Sequence, residues 1–432
     1  MLILELITSL ILWIMILVPM NSYIMDLNER SPYKLIQDVS NQTIFDVTKV
    51  TSESLMNRGD VCESNDDIIA PTKTYTLSIK NIPVKSTSTD AVFITSDGQH
   101  LFVGLNSAST TDYDLIAYDA QDILVPIDKV DSGPGIVGGA LVGKNLFLIN
   151  SSVNSTLQRF KFNSVSKKLE KAGDYKVPWS SSGNPVYGTK ISAIYPNLFL
   201  GLKKNSGEEL LSIDLNKIGG GLPSAINRKW ELDSSVQDIW PMYDKYLHLL
   251  ISTAKEPEIN DFCLNCDFPP FSTTTSSFAT ASPLNTFDLF GSLGNVRSLI
   301  AKDGAIYVGR TTGNNELFKV NMTRDYSSVL VATSASSTYS YDLINSIDVN
   351  DGIYSMIIAN HELFLAEGKS NSKIQIRNEE DISKIIQTID VGGAVYDMDC
   401  FGSKIFGVGS IYKMAGTSTE SITPIIFELK PA

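Results

Sequence analysis

The sequence predicts a mainly β protein with a long N-terminal α-helix: a hydrophobic stem followed by a β-propeller with seven blades. Three observations lead there. The first 25 residues, MLILELITSLILWIMILVPMNSYIM, are mostly apolar and carry a single charged side chain, a carboxylate. From residue 74 onward, short runs rich in Val, Ile, Leu, Phe and Tyr alternate with Gly, Asn, Asp and Ser turns, as in all-β arrays. Within that array a unit recurs at intervals of about 40 to 50 residues, the length of a four-stranded blade.

The stem comes first in the chain. About 20 apolar residues suffice to span a bilayer, and Glu5 sits inside the apolar run. An ionised carboxylate there costs roughly 2.5–3.5 kcal/mol on insertion scales, so it needs a positive partner. The α-amino group of Met1, one helical turn away, is the nearest in sequence. Pro19 removes a helical hydrogen bond and clashes with the preceding turn, which predicts a kinked or locally extended stretch there. Beyond it, Ile24, Leu27, Leu35, Val39, Ile44, Val47 and Leu55 recur at three- to four-residue intervals, an amphipathic helical pattern. Gly59 reads as its C-terminal stop. The expected boundaries are therefore a stem over 1–58, a linker over 59–73 and a propeller head over 74–432.

The head supplies seven units that align on their second and third strands. They begin with DAVFITSDGQHLFVGLNS and DLIAYDA, then GPGIVGGALVGKNLFLINSS and LQRFKFN, then GTKISAIYPNLFLGLKK and ELLSIDL. The fourth, DIWPMYDKYLHLLIST, lacks a clear final strand. NVRSLIAKDGAIYVGRTT with ELFKVNM, YSMIIANHELFLAEGKS with KIQIRNE, and YDMDCFGSKIFGVGSIY with PIIFELK complete the array. A blade cannot bury both faces alone, and radial stacking gives each face a neighbour. Residues 257–284 read as a long loop insertion with a Ser/Thr-rich tract, a candidate contact surface.

These residues carry two resemblances. Met1, the apolar Leu2-Ile3-Leu4 and the glutamate Glu5 resemble the mature N-terminus of type IV pilins and pseudopilins. That resemblance implies an N-methylated Met1, a Glu5 that neutralises the N-terminal amine of a neighbouring subunit, and a Pro19 segment that melts or kinks as the stem packs. Units such as DAVFITSDGQHLFVGL with DLIAYDA resemble the LVIVD-type bacterial surface propellers.

The chemistry-bearing residues are few. Three His and four Cys occur, and net charge is −13. An acidic head does not favour nucleic acid or anionic membrane through a basic face. No phosphate loop, paired metal histidines or nucleophile elbow appears, so no catalytic residue, metal or cofactor is expected and the chain is read as not an enzyme. His100, His248 and His361 read as bystanders, and Asp348 and Asp351 as turn residues. Four cysteines allow three pairings. Cys263 and Cys266 are candidates for a local bridge, and Cys62 and Cys400 for one that pins the stem to the ring.

The expected function is a structural subunit of a type IV pilus-like filament, with the propeller displayed for adhesion. Its partners would be copies of itself through the stem, the inner membrane before assembly, and a host or surface ligand at the propeller. Its place would be a filament at the cell surface. A membrane-anchored monomeric propeller that binds a partner is the alternative, and a propeller enzyme the more distant one.

Overall fold

The computed structural model describes Val61–Cys62 and most of residues 74–432. Residues 1–60, 63–73, 265–284, 325–338 and several shorter stretches lie outside the described residues. Two segments precede the first blade: β1 (Val61–Cys62) and β2 (Tyr75–Asn81). Blade 1 is β3–β6 (Asp90–Ser96, His100–Asn106, Leu115–Asp119, Asp122–Val130). Blade 2 is β7–β10 (Ile136–Val142, Asn145–Asn150, Thr156–Asn163, Lys168–Lys176). Blade 3 is β11–β14 (Gly188–Ile194, Asn197–Leu202, Leu210–Asp214, Ile226–Trp230). Blade 4 is β15–β18 (Val236–Tyr243, Leu247–Thr253, Ile259–Cys263, Asn285–Phe287).

Blade 5 is β19–β22 (Val296–Lys302, Ala305–Arg310, Leu317–Arg324, Tyr339–Ile347), and blade 6 is β23–β26 (Ile353–Ala359, Glu362–Glu367, Lys373–Asn378, Ile385–Asp390). Blade 7 holds β27–β29 (Ala394–Phe401, Lys404–Met414, Glu420–Pro431). Each blade is an antiparallel meander whose first strand faces the first strands of its neighbours around a central channel. The last blade takes its fourth strand from the other end of the array. β2 pairs antiparallel with β29, Tyr75 opposite Pro431 and Asn81 opposite Ile425, which closes the ring.

This architecture corrects the mixed helix-and-propeller expectation. The described residues are nearly all strand, because their apolar residues follow the two-residue period of pleated sheet. They contain one 3-10 turn (Ile218–Gly220) and one helical turn of four residues (Leu222–Ala225). Among the described residues no helix is long and apolar enough to cross a membrane. The expected stem over 1–58, with Met1, Glu5 and Pro19, lies outside the described residues. Blade 4 also explains its missing strand: Ile259–Cys263, inside the span read as an insertion, is its third strand, and its fourth is only Asn285–Phe287.

The core sits in the seams between blades. Phe93, Phe102 and Leu115 of blade 1 pack with Ile136, Leu146 and Leu148 of blade 2, and clusters of the same kind join the other blades. Fully burying such a side chain stabilises by about 1.5–3 kcal/mol.

Each seam repeats one contact. A second-strand residue of one blade meets the inner-strand residue that precedes a bulge in the next. Blade by blade, these pairs are Gly104 with Ile136, Ile149 with Gly188, Gly201 with Val236 and Gly309 with Ile353, then Ser252, whose hydroxyl reaches the Val296 carbonyl at 3.5 Å, and, within shared core clusters, Ala366 with Val395 and Val408 with Ala91. One member is always small and the other always aliphatic. Cβ atoms on Gly104, Gly201 and Gly309 would fall 2.9, 2.6 and 2.7 Å from Ile136, Val236 and Ile353. Between blades 2 and 3 the order is inverted, and a Cβ on Gly188 would lie 2.2 Å from Ile149. Close packing tolerates neither two large members nor two small ones.

Candidate functional site

The seven inner strands share a second device. Each carries a β-bulge one or two residues after it starts, at Val92, Val137, Thr189, Gln237, Arg297, Tyr354 and Tyr396. A bulge frees one residue from the ladder and re-aims its side chain. All seven fall at the channel end where the inner strands begin, and all keep part of their surface exposed. They form the mouth.

One arc of this mouth is polar and aromatic. The Arg297 guanidinium lies over the Tyr354 ring, 5.8 Å from its centre. Tyr354 and Tyr396 meet edge to face with ring centres 5.7 Å apart. The Tyr396 and Tyr412 hydroxyls are hydrogen-bonded, and Tyr412 donates to Asp90 Oδ1 at 2.9 Å. Burial pushes the Tyr412 phenol well above its ordinary range, and the Tyr396 and Asp90 contacts act in the same direction. Tyr412 reaches the mouth because the central hairpin of blade 7 outruns its inner strand. Ala394 pairs with Ser410, while Ile411 through Met414 continue pairing with Thr423 through Glu420.

The next layer down is a polar plug. Lys190 Nζ pairs with Asp238 Oδ1 at 3.1 Å. Asp238 also accepts the N–H groups of Leu299 (2.8 Å) and Ile239 (2.9 Å). Asp397 accepts the Ile94 N–H at 3.0 Å, which ties blade 7 to blade 1. Protein surrounds Asp397 although it keeps some surface toward the channel. Burial raises its carboxyl to about 6, the Asp238 charge adds to this, and Lys190 and the Ile94 and Met398 N–H groups oppose it. Lys190 and Asp238 come from blades 3 and 4, across the ring from blade 7, so the residue after each of these bulges points at the axis.

Around the same face runs a ring of acids that precede third strands: Asp114, Glu209, Glu258 and Glu316, all buried. Glu209 accepts the Leu232 N–H (2.8 Å), Glu258 that of Leu289 (3.1 Å) and Glu316 that of Val349 (3.0 Å). These three glutamates therefore hold the crossovers that leave their blades for the next. Burial, then the Asp131 charge, raises Asp114 to about 7. Glu209, Glu258 and Glu316 are raised as well, burial being the largest cause. Arg310 of blade 5 donates to Glu258 at 3.0 Å, an ion pair buried in the seam. These are joints of the fold, and the mouth is the candidate site.

The opposite end of the channel is stapled. β1 runs parallel along the inner edge of β23, Val61 beside Ile358 and Cys62 beside Ala359. Cys62 is bonded to Cys400 near the end of β27, across 338 residues of sequence. Cys263 ends a strand of blade 4, and Cys266 lies outside the described residues. No group of three or more His, Cys, Asp or Glu side chains that could hold a metal occurs among the described residues.

The three histidines do not converge. His100 packs on Phe162 with ring centres 4.3 Å apart. His248 is buried against Asp261 at 3.1 Å, and Asp261 also accepts the Tyr341 hydroxyl at 2.9 Å. His361 is exposed at a turn. Asp351 accepts the Gly352 N–H and belongs to a turn. Asp348 lies beside Glu316 at a crossover. The mouth residues went unread in the sequence, although a signal exists: aligned on the repeat, Val92 through Tyr396 fall in one column. That column mixes Val, Thr, Gln, Arg and Tyr, where the column just before it is uniformly small or aliphatic.

No protein-family model and no curated protein matches this chain. Among solved structures it is similar to a Bacteroides fragilis chain named "putative 6-phosphogluconolactonase", at 12% identity and a TM-score of 0.51. The match covers 78% of this chain and 97% of that one. The likeness supports the propeller fold. It also overturns the expectation that the chain is not an enzyme. A chain of this architecture carries an enzyme's name, so the propeller and missing hydrolase motifs do not argue against catalysis. Neither the pilin-like nor the LVIVD-type resemblance gains a family match.

Proposed function

We propose that the chain is a surface-displayed propeller, held by its N-terminal segment and offering the channel mouth to a ligand. In the form favoured by the pilin-like residues, residues 1–58 polymerise as the stem of a filament. The anchored monomer is the other form of the same reading. The observation that carries it is the Cys62–Cys400 bridge. Structural disulfides belong to oxidising compartments outside the cytoplasm. This one fastens the point where the chain enters the ring to the blade that closes it, so a load applied through the N-terminus passes into the ring rather than unzipping a strand.

A second reading is favoured by Asp397. A carboxyl with a proton affinity near neutrality, beside Lys190 at the channel axis, has the character of a general base. Attack of water on a small lactone, the chemistry named for the structural neighbour, would use it.

The test of display is the mass of the N-terminal peptide combined with filament yield from Glu5→Ala. A processed, methylated Met1 and loss of incorporation with a folded head are expected. Normal filament yield from Glu5→Ala removes the assembly role. An unprocessed Met1 on membrane-bound monomers leaves the anchored form.

A further inference from the structure

The bulge ring is chemically lopsided. In blades 5 to 7 the bulge position holds Arg297, Tyr354 and Tyr396; in blades 1 and 2 it holds Val92 and Val137, half-buried and followed by Phe93 and Gly138. Arg297 is exposed and makes no ion pair among the described residues. The nearby carboxylates are engaged elsewhere: Asp90 by Tyr412, Asp238 by Lys190 and two backbone N–H groups, Asp397 by the Ile94 N–H. The Tyr396–Tyr412–Asp90 chain ties up these hydroxyls and leaves the aromatic rings as walls. Arg297 thus offers an uncommitted fork of N–H donors, pre-oriented by stacking and suited to two oxygens of one planar anion. Across the mouth, two valines present no side-chain hydrogen-bonding group. A ligand polar on every edge would lose hydration there without compensation.

We propose that the channel mouth binds a small organic carboxylate with an apolar flank, its carboxylate on Arg297 and its flank toward Val92 and Val137. This rests on the mouth being the ligand site and names what that site takes. Carboxylate recognition and apolar seating are separable, which makes each testable.

The experiment titrates the full chain with phenylacetate, phenylacetamide and acetate by calorimetry. Phenylacetate should bind, and each of the other two about tenfold more weakly or worse, the scale of losing a charged hydrogen bond or a buried ring. Arg297→Gln should abolish the preference for phenylacetate over phenylacetamide while retaining amide binding. Val137→Asp should weaken both ligands at unchanged circular dichroism. No phenylacetate binding at millimolar concentration overturns the proposal, as does an equal affinity for acid and amide or a preference that survives Arg297→Gln. If a neutral sugar binds instead, and Tyr354→Ala abolishes that binding, the carboxylate class falls and the mouth stands as the ligand site. Phenylacetate binding that none of the three substitutions alters places the ligand elsewhere, and both readings fall.

Discussion

The seams between blades and the ring of bulges are built on the same backbone, repeated seven times, yet they treat side chains in opposite ways. At every seam the chain finds the same answer, one small residue against one aliphatic residue, and even the inverted pairs obey it. One residue later, at the bulge, the seven side chains have little in common. The seam is governed by volume, which is the same problem in each blade. The bulge lies outside the ladder and faces the channel, so packing does not dictate its residue. Uniform positions therefore report the fold, and varied positions at a fixed backbone geometry report what the ring is for.

The largest effect should come from releasing the staple that underlies both regions. Cys400→Ser opens a loop of 338 residues, for which the chain-entropy relation gives about 6 kcal/mol as an upper-end loss. The melting temperature should fall strongly under non-reducing conditions, with wild-type protein in reductant matching the variant. Peptide mapping that finds Cys62 and Cys400 as free thiols would remove this account.

Next in size is the seam. Gly309→Val drives a side chain into Ile353 and should cost about 1–3 kcal/mol, read as a lower denaturation midpoint at constant slope. Adding Ile353→Gly restores the inverted arrangement of the blade 2–3 seam and should recover part of the loss, giving a coupling of opposite sign to the single changes. Purely additive losses would mean that the pairing is not the determinant.

A smaller effect separates acids of the joints from those of the plug. Asp114 and Asp397 titrate near 7 and 6 in the folded chain, against about 4 when unfolded. Their protonated forms are the ones folding favours. Their stabilisation is therefore complete below about pH 4 and is lost as pH rises through 6 and 7. Asp114→Asn should flatten the upper part of that decline and Asp397→Asn the lower part, in melting temperatures measured from pH 4 to 8. An unchanged slope in both variants would show that neither carboxyl is shifted.

Local physics made much of this legible. Two-residue apolar alternation, turn residues and a repeating interval marked the blades, including the unit whose fourth strand was hidden behind residues 265–284. The glycines of LFVGL, LFLGL and IYVGR were visible as well, although their purpose was not. A Cβ is excluded at Gly104, Gly201 and Gly309 only because the next blade places Ile136, Val236 or Ile353 against them. The acids before the third strands could be seen in DLIAY, ELLSI and ELFKV, but not the crossover N–H groups that Glu209 and Glu316 hold.

The sequence by itself determined the strand periodicity, the blade repeat and the shortage of metal-binding side chains, because these depend on neighbours a few residues apart. Ring closure decided the rest. It set Tyr75–Asn81 beside Ile425–Pro431 as the outer strand of the last blade, and selected the Cys62–Cys400 pairing from three that composition allowed. It also turned Lys190, Asp238, Arg297, Tyr354, Tyr396 and Asp397 toward one axis. These six residues span more than 200 positions, and no local rule relates them. They meet because seven twisted sheets bury their faces only by closing a circle, and a circle has a centre.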